Sequence, residues 1–195
     1  MGTRARLASA ALAMTVVGAL TAALAAPAQA GPTAGSANAP AAAGYYLKFD
    51  KRTVTNSRLY LMKSVAGPDK VIKSYRAGSG TGTNTCAVGK GWLPNGNYKI
   101  EFHQKDFDGI INGYVIKISD KRCHSGTQRT ELFIHSEMKP NGKQGSIESE
   151  KWTNSNPNDY YSNGCVKLNP SDIKNLFGTV DRLGWSKLSK LKVVS

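Results

Sequence analysis

Ser162-Asn163-Gly164-Cys165-Val166-Lys167-Leu168 is the stretch from which the rest of the chain can be read. A cysteine stands there behind a glycine and two small polar residues, at the mouth of an apolar, strand-like run. Glycine before a cysteine permits a tight turn and leaves backbone N–H groups free for a developing oxyanion. A thiol needs a base to become a thiolate near neutral pH, and an imidazole suits that task. His135 lies thirty residues upstream and ends Glu131-Leu132-Phe133-Ile134-His135, a run that would carry the ring on a stiff element. Cys165 is therefore a candidate nucleophile and His135 a candidate base. The bland alternatives are a buried structural cysteine and a hydrogen-bonded core histidine.

The three histidines, His103, His124 and His135, all precede Cys165. That order excludes every cysteine-peptidase plan in which the essential histidine follows the cysteine. His124 adjoins Cys123 in a polar loop and reads as a surface residue. His103 ends a strand-like run and reads as lining a cleft or facing water. A zinc site from two histidines and Cys165 lacks the tight ligand spacing such sites use, so no metal and no cofactor is expected.

Outward from this centre, residues 1–30 read as an export signal: Arg4 and Arg6, an alanine-rich apolar run, then Ala28-Gln29-Ala30. The competing reading, a transmembrane anchor, suits the run less well, because it is short and alanine makes it weakly hydrophobic. Residues 31–44 are mostly Ala, Gly, Pro and Ser and read as a flexible leader. Residues 45–195 are about 150 residues, one domain with room for a real core. Without Arg4 and Arg6 the formal charge falls from +13 to about +11. For an exported protein this favours anionic cell-wall polymer or lipid headgroups as neighbours. The lysines are scattered and no aromatic-interleaved basic patch is present, which argues against nucleic acid.

Three cysteines in an exported chain leave an odd one. Cys86 and Cys123 both lie in polar, loop-like surroundings, and a disulfide between them would leave Cys165 free. A bridge through Cys165, or three free thiols, stays open at this point.

The domain reads as mostly β. Tyr45–Asp50, Arg58–Met62, Lys70–Tyr75 and Gly96–Phe102 alternate with period two between turn residues. Residues 110–119 suggest a further strand pair around Asn112-Gly113. Lys190–Val194 alternates as a last strand. One helix is expected behind Cys165: Asn169 as cap, Pro170 at the first position, Asp172 in the first turn, Ile173, Leu176 and Phe177 on one face. Gly178 is placed to end it.

With these residues in view, the chain resembles the catalytic domain of the YkuD-type L,D-transpeptidases. The resemblance rests on Leu93-Pro94-Asn95-Gly96-Asn97-Tyr98-Lys99-Ile100, on Ile134-His135 and on Ser162–Leu168. The helix with Asp172 and Leu176 and the closing Val193-Val194 also fit, so it spans essentially all of 45–195. It implies a β-sandwich of mixed sheets with one short helix after the cysteine. It implies attack by Cys165 on the bond between the third residue of a peptidoglycan stem peptide and its terminal D-alanine. His135 would serve as base and then as acid, the N–H groups near Gly164 and Cys165 as oxyanion donors, and Ser162 and Asn163 as part of the turn. An amine of another stem, or water, would resolve the acyl-enzyme.

The chain departs from the family pattern at three positions. Ser136 follows the histidine where glycine is usual, Asn163 precedes the glycine where many members carry histidine, and Lys167 stands where arginine is usual. Lysine supplies charge but no bidentate fork. The stretch 139–161 is a polar insertion bearing Trp152 and reads as a lid or substrate-facing loop. Lys167, Ser136 and Trp152 are thus candidate cleft residues. A sortase would need a threonine-rich approach to the cysteine and a nearer arginine than Arg182. A reading from a different class keeps the export signal and the charge but demotes Cys165 to packing: a secreted basic β-domain that binds cell-wall polymer without catalysis.

Overall fold

The computed structural model of the protein describes residues 44–153 and 155–195. The export signal and nearly all of the leader read from the sequence lie outside the described residues. Ten strands and one α-helix follow in order: β1 (Tyr45–Asp50), β2 (Ser57–Lys63), β3 (Lys70–Ser79), β4 (Gly96–Phe107), β5 (Gly113–Ile118), β6 (Lys121–Arg122), β7 (Gln128–Arg129), β8 (Phe133–His135), β9 (Val166–Leu168), α1 (Pro170–Leu183) and β10 (Leu188–Val194). Eight of the strands close on themselves in the order β1-β10-β4-β5-β8-β9-β3-β2, while β6 and β7 form a small separate hairpin.

The expected sandwich is corrected to a closed barrel. Closure is made by β1, which pairs antiparallel with β2 and parallel with β10, setting Phe49 opposite Val193. Each of the eight strands then has two neighbours, although β3 meets β9 only at Ala77–Ser79 and β4 meets β10 only at Gly96–Lys99. The sheet is mixed, as expected, because β8 also runs parallel to β9. Alternating residues fill the interior: Leu47 and Phe49, Leu59 and Leu61, Ile116 and Ile118, Ile134, Val166 and Leu168 are all fully buried. Burying each such side chain stabilises the fold by about 1.5–3 kcal/mol.

Helix α1 begins as read: the Asn169 side chain accepts from the Ser171 N–H, with Pro170 in the first turn. Such a cap is worth about 1 kcal/mol. Ile173, Leu176 and Phe177 face the core, and the Phe177 ring meets Tyr114 of β5 edge-on at 5.0 Å. The helix does not stop at Gly178. Thr179 and Val180 are buried too, which holds another turn and a half on the core, and Gly184 at φ 92° ends it.

The β4–β5 hairpin also differs from the reading. Residues 108–112 form the turn, with Asn112 Oδ1 accepting from the Gly109 N–H at 3.0 Å. Strand β4 runs on to Phe107, opposite Gly113. Its second half is exposed, so no alternation marks it. Among the described residues no helix is long and apolar enough to cross a membrane.

Candidate functional site

The site is built on the parallel pair β8–β9, in which Ile134 lies opposite Val166 and His135 opposite Lys167. Ile134 and Val166 point into the main core. Side chains alternate along a strand, so Phe133, His135, Cys165 and Lys167 share the other face. That face lines a cleft of about 830 Å³. Around Cys165 the surroundings are apolar, since it packs with Val115 and Phe133, and Phe107 and Ile111 lie against that group. Around His135 they are polar, with Ser136, Glu137 and Lys167 in the same lining.

Cys165 is a free thiol, because Cys86 and Cys123 form the disulfide, their Cα atoms 5.3 Å apart. The only cluster of potential metal ligands among the described residues is Cys86, Cys123 and His124, and both of its sulfurs are in that bond. His124 Nδ1 lies 3.5 Å from Cys86 Sγ. His103 stacks on Trp185 at 3.6 Å between ring centroids. Of the three histidines only His135 lines the Cys165 cleft.

Ser162 organises the turn before the cysteine. Its Oγ accepts from the Gly80 and Gly164 N–H groups at 3.0 and 3.2 Å, and donates to the Cys165 carbonyl at 2.6 Å. The Gly164 N–H is therefore engaged inside the turn and is not free for an oxyanion in this arrangement. Gly164 has φ +112°, and a Cβ there would stand 2.0 Å from Arg129 Nη2. Both facts require glycine at this position.

Arg129 is the residue the sequence reading missed. It is 2% exposed, and its guanidinium donates to the carbonyls of Thr85, Gly91, Trp92 and Asn163. It thereby ties the 80–95 loop to the turn that carries Cys165. Nothing in the polar run Thr127-Gln128-Arg129-Thr130 marks it, because its partners are backbone carbonyls far away in sequence. Glu131 was also passed over as part of a strand. It is the one non-glycine residue at positive φ (51°) among those described, and its carbonyl accepts from Cys165 Sγ at 3.5 Å.

Cys165 and His135 are both pushed toward their uncharged forms. Burial pushes the Cys165 thiol up to about 11, against the pull of the Phe133 N–H and the Arg129 and Lys117 charges. Burial, helped by the Lys167 ammonium, pushes His135 down to about 3, against its bond to the Ser136 carbonyl. His135 Nδ1 lies 3.1 Å from that carbonyl. A carbonyl only accepts, so Nδ1 carries the hydrogen and Nε2 keeps the lone pair. Among the described residues no hydrogen bond joins Cys165 to His135.

Lys167 is 7% exposed and donates to the Glu137 carboxylate and, at 2.8 Å, to the Tyr161 carbonyl. Burial raises Glu137 to about 7 although Lys167 opposes it. Ser136 Oγ and Glu137 Oε2 are buried without a partner. Asn163 lines the cleft, as do Ile147, Glu148 and Ser149 from the 139–161 stretch. Trp152 stands outside that lining, packed edge-on against Tyr160 at 4.9 Å.

A barrel that brings a free cysteine and a histidine into the lining of one cleft defines a class of thiol-bearing cleft domain. The chain belongs to the L,D-transpeptidase catalytic domain family, YkuD, whose model matches residues 54–190. The family's activity is that of an L,D-transpeptidase acting on peptidoglycan. No curated protein matches the chain. Among solved structures, Bd1075 of Bdellovibrio bacteriovorus is similar at 14% identity with a TM-score of 0.49, over 77% of this chain and 47% of that one. A fused Zn-dependent amidase/peptidase/peptidoglycan-binding domain-containing protein of Clostridium acetobutylicum is similar at 12% identity with a TM-score of 0.39, over 77% of this chain and 52% of that one. The chain thus spans about half the length of these structures.

Proposed function

We propose that this protein is an exported cysteine acyltransferase that acts on peptidoglycan stem peptides at the bond between the third residue and the terminal D-alanine. The observation that carries the reading is the shared cleft face: a free Cys165 thiol and a His135 ring, its Nε2 unprotonated, line the same cleft.

Cys165 Sγ attacks the scissile carbonyl carbon while His135 Nε2 takes the thiol proton. The C–N bond breaks as His135 returns that proton to the departing amine of D-alanine, leaving a thioester on Cys165. An amine of a second stem attacks the thioester and forms a cross-link, or water attacks and trims the stem, and the Cys165 thiol is restored. A neutral imidazole suits both halves, since it accepts first and donates second. Arg129 holds the Cys165 turn in place throughout, and the Lys167–Glu137 pair keeps a positive charge beside His135 that favours its neutral form.

The test is release of D-alanine from tetrapeptide stems, with muropeptide analysis to separate cross-linking from trimming. Cys165→Ala should abolish release with the fold intact, and His135→Ala should lower it by about 10²–10⁴-fold. Turnover by Cys165→Ala would sink the reading in favour of a wall-binding domain without catalysis.

A further inference from the structure

A second cavity, about 500 Å³ in volume, shares no lining residue with the Cys165 cleft. Its wall is basic. Lys51 directly follows β1, and Arg122 and His124 come from the β6–β7 hairpin. Thr83 and Thr85 add hydroxyl groups, Asn95 an amide and Trp92 an indole, and no aspartate or glutamate belongs to the lining.

None of the cations there is in an ion pair among the described residues, and Ser195 completes the lining. Lys51 is only 6% exposed, yet its ammonium bonds the Leu93 carbonyl at 3.1 Å and lies 5.1 Å from the Trp92 ring centre. Among the described residues it makes no ion pair. Arg122 donates to the Gly126 carbonyl at 2.9 Å and likewise has no carboxylate partner among them. Trp92 Nε1 is a buried donor without an acceptor. A buried ammonium without a counter-charge is costly, and burial alone pushes Lys51 down to about 8. A bound anion would relieve that cost.

We propose that this cavity binds a phosphate ester, its anion held by Lys51, Arg122 and His124 and its alcohol part lodged against Trp92. A tetrahedral phosphate presents several acceptor oxygens to donors that converge from separate segments, which a planar carboxylate does less well. The volume lies in the range of pockets that hold an organic ligand, so the alcohol part has room beside the phosphate. The excess of cations over the whole chain, +13 formally, would draw such anions to its surface. The site stands apart from the Cys165 chemistry and does not depend on it.

The full chain labelled with ¹⁵N would be titrated with glycerol 3-phosphate, with glycerophosphoglycerol as a diester, and with acetate at matched ionic strength. The readout is the Trp92 indole N–H resonance, assigned by Trp92→Phe. The expected result is a saturable shift with the phosphate esters and none with acetate. The double variant R122Q/H124Q, at two exposed positions, should weaken binding about tenfold or more while leaving D-alanine release unchanged. Tighter binding of the diester would assign a phosphodiester polymer as the source, and binding of the monoester alone a soluble ester; both uphold the site. No saturable shift, an equal response to acetate, or unchanged affinity in the double variant would overturn it.

Discussion

His135 and Lys167 are register partners across the parallel β8–β9 ladder, and the Lys167 ammonium is held there by Glu137. A buried cation beside the ring disfavours the imidazolium, so this neighbour helps set the charge of the His135 ring. The lysine stands where the family usually has arginine, and it is paired inward rather than left for substrate.

Lys167→Met removes that cation. The His135 titration, followed by NMR of the ring, should move upward from about 3. Glu137 should rise further, since the charge that opposes its burial is gone. Removing one partner of a buried pair costs about 3 kcal/mol of stability. An unchanged His135 titration in a folded variant would show that Lys167 does not act on the base.

Alkylation of Cys165 tests the resting charge state. A thiol raised to about 11 is a thiolate only at high pH, and a His135 lowered to about 3 disfavours a thiolate–imidazolium pair at neutrality. The rate with iodoacetamide should climb about tenfold per pH unit from 7 to 10, without a plateau. A pH-independent rate between 5 and 8 would mean that the pair is ionised at rest.

Arg129→Gln should loosen the turn and, by removing a charge that pulls the Cys165 thiol down, push that thiol up further. Four carbonyls lose their donor, at a cost of about 1–3 kcal/mol for each buried group left unsatisfied. The positioning role predicts a larger fall in kcat than in affinity for stems, and only partial rescue by Arg129→Lys. Loss of stability with kcat unchanged in the folded fraction would leave Arg129 a structural residue only.

Gly164→Ala strains the backbone at φ +112° and drives a Cβ into the Arg129 guanidinium. A loss of about 2 kcal/mol or more in chemical denaturation is expected, with slowed release of D-alanine.

Replacing both Cys86 and Cys123 by alanine opens a link between residues 37 apart. Loop-closure entropy puts the loss at about 3–4 kcal/mol. Cys165 should remain the single reactive thiol, countable by titration under denaturing conditions.

Much of the local structure was legible because its causes are local. Asn169 and Pro170 start a helix by chemistry that acts within one turn, and strands such as Tyr45–Asp50 show their period directly. The free Cys165 was legible as one of several pairings, and contact between distant loops selected Cys86–Cys123. Where exposure erased the alternation, as along His103–Phe107, the strand was invisible. Gly178 misled because glycine permits a helix to end but does not require it, and buried Val180 carried α1 onward.

By itself the sequence determined the kind of domain: a mainly β chain with one capped helix, a cysteine after a glycine turn, and a histidine upstream of it. Those features follow from side-chain chemistry and spacing within a few residues. Tertiary structure alone decided that the sheet closes into a barrel, because Tyr45 and Leu188 must meet across the chain's length. It alone set Arg129 under the Cys165 turn and Lys167 beside His135. Burial then pushed Cys165 and His135 toward their uncharged forms, and burial belongs to the folded whole, not to any residue's place in the chain.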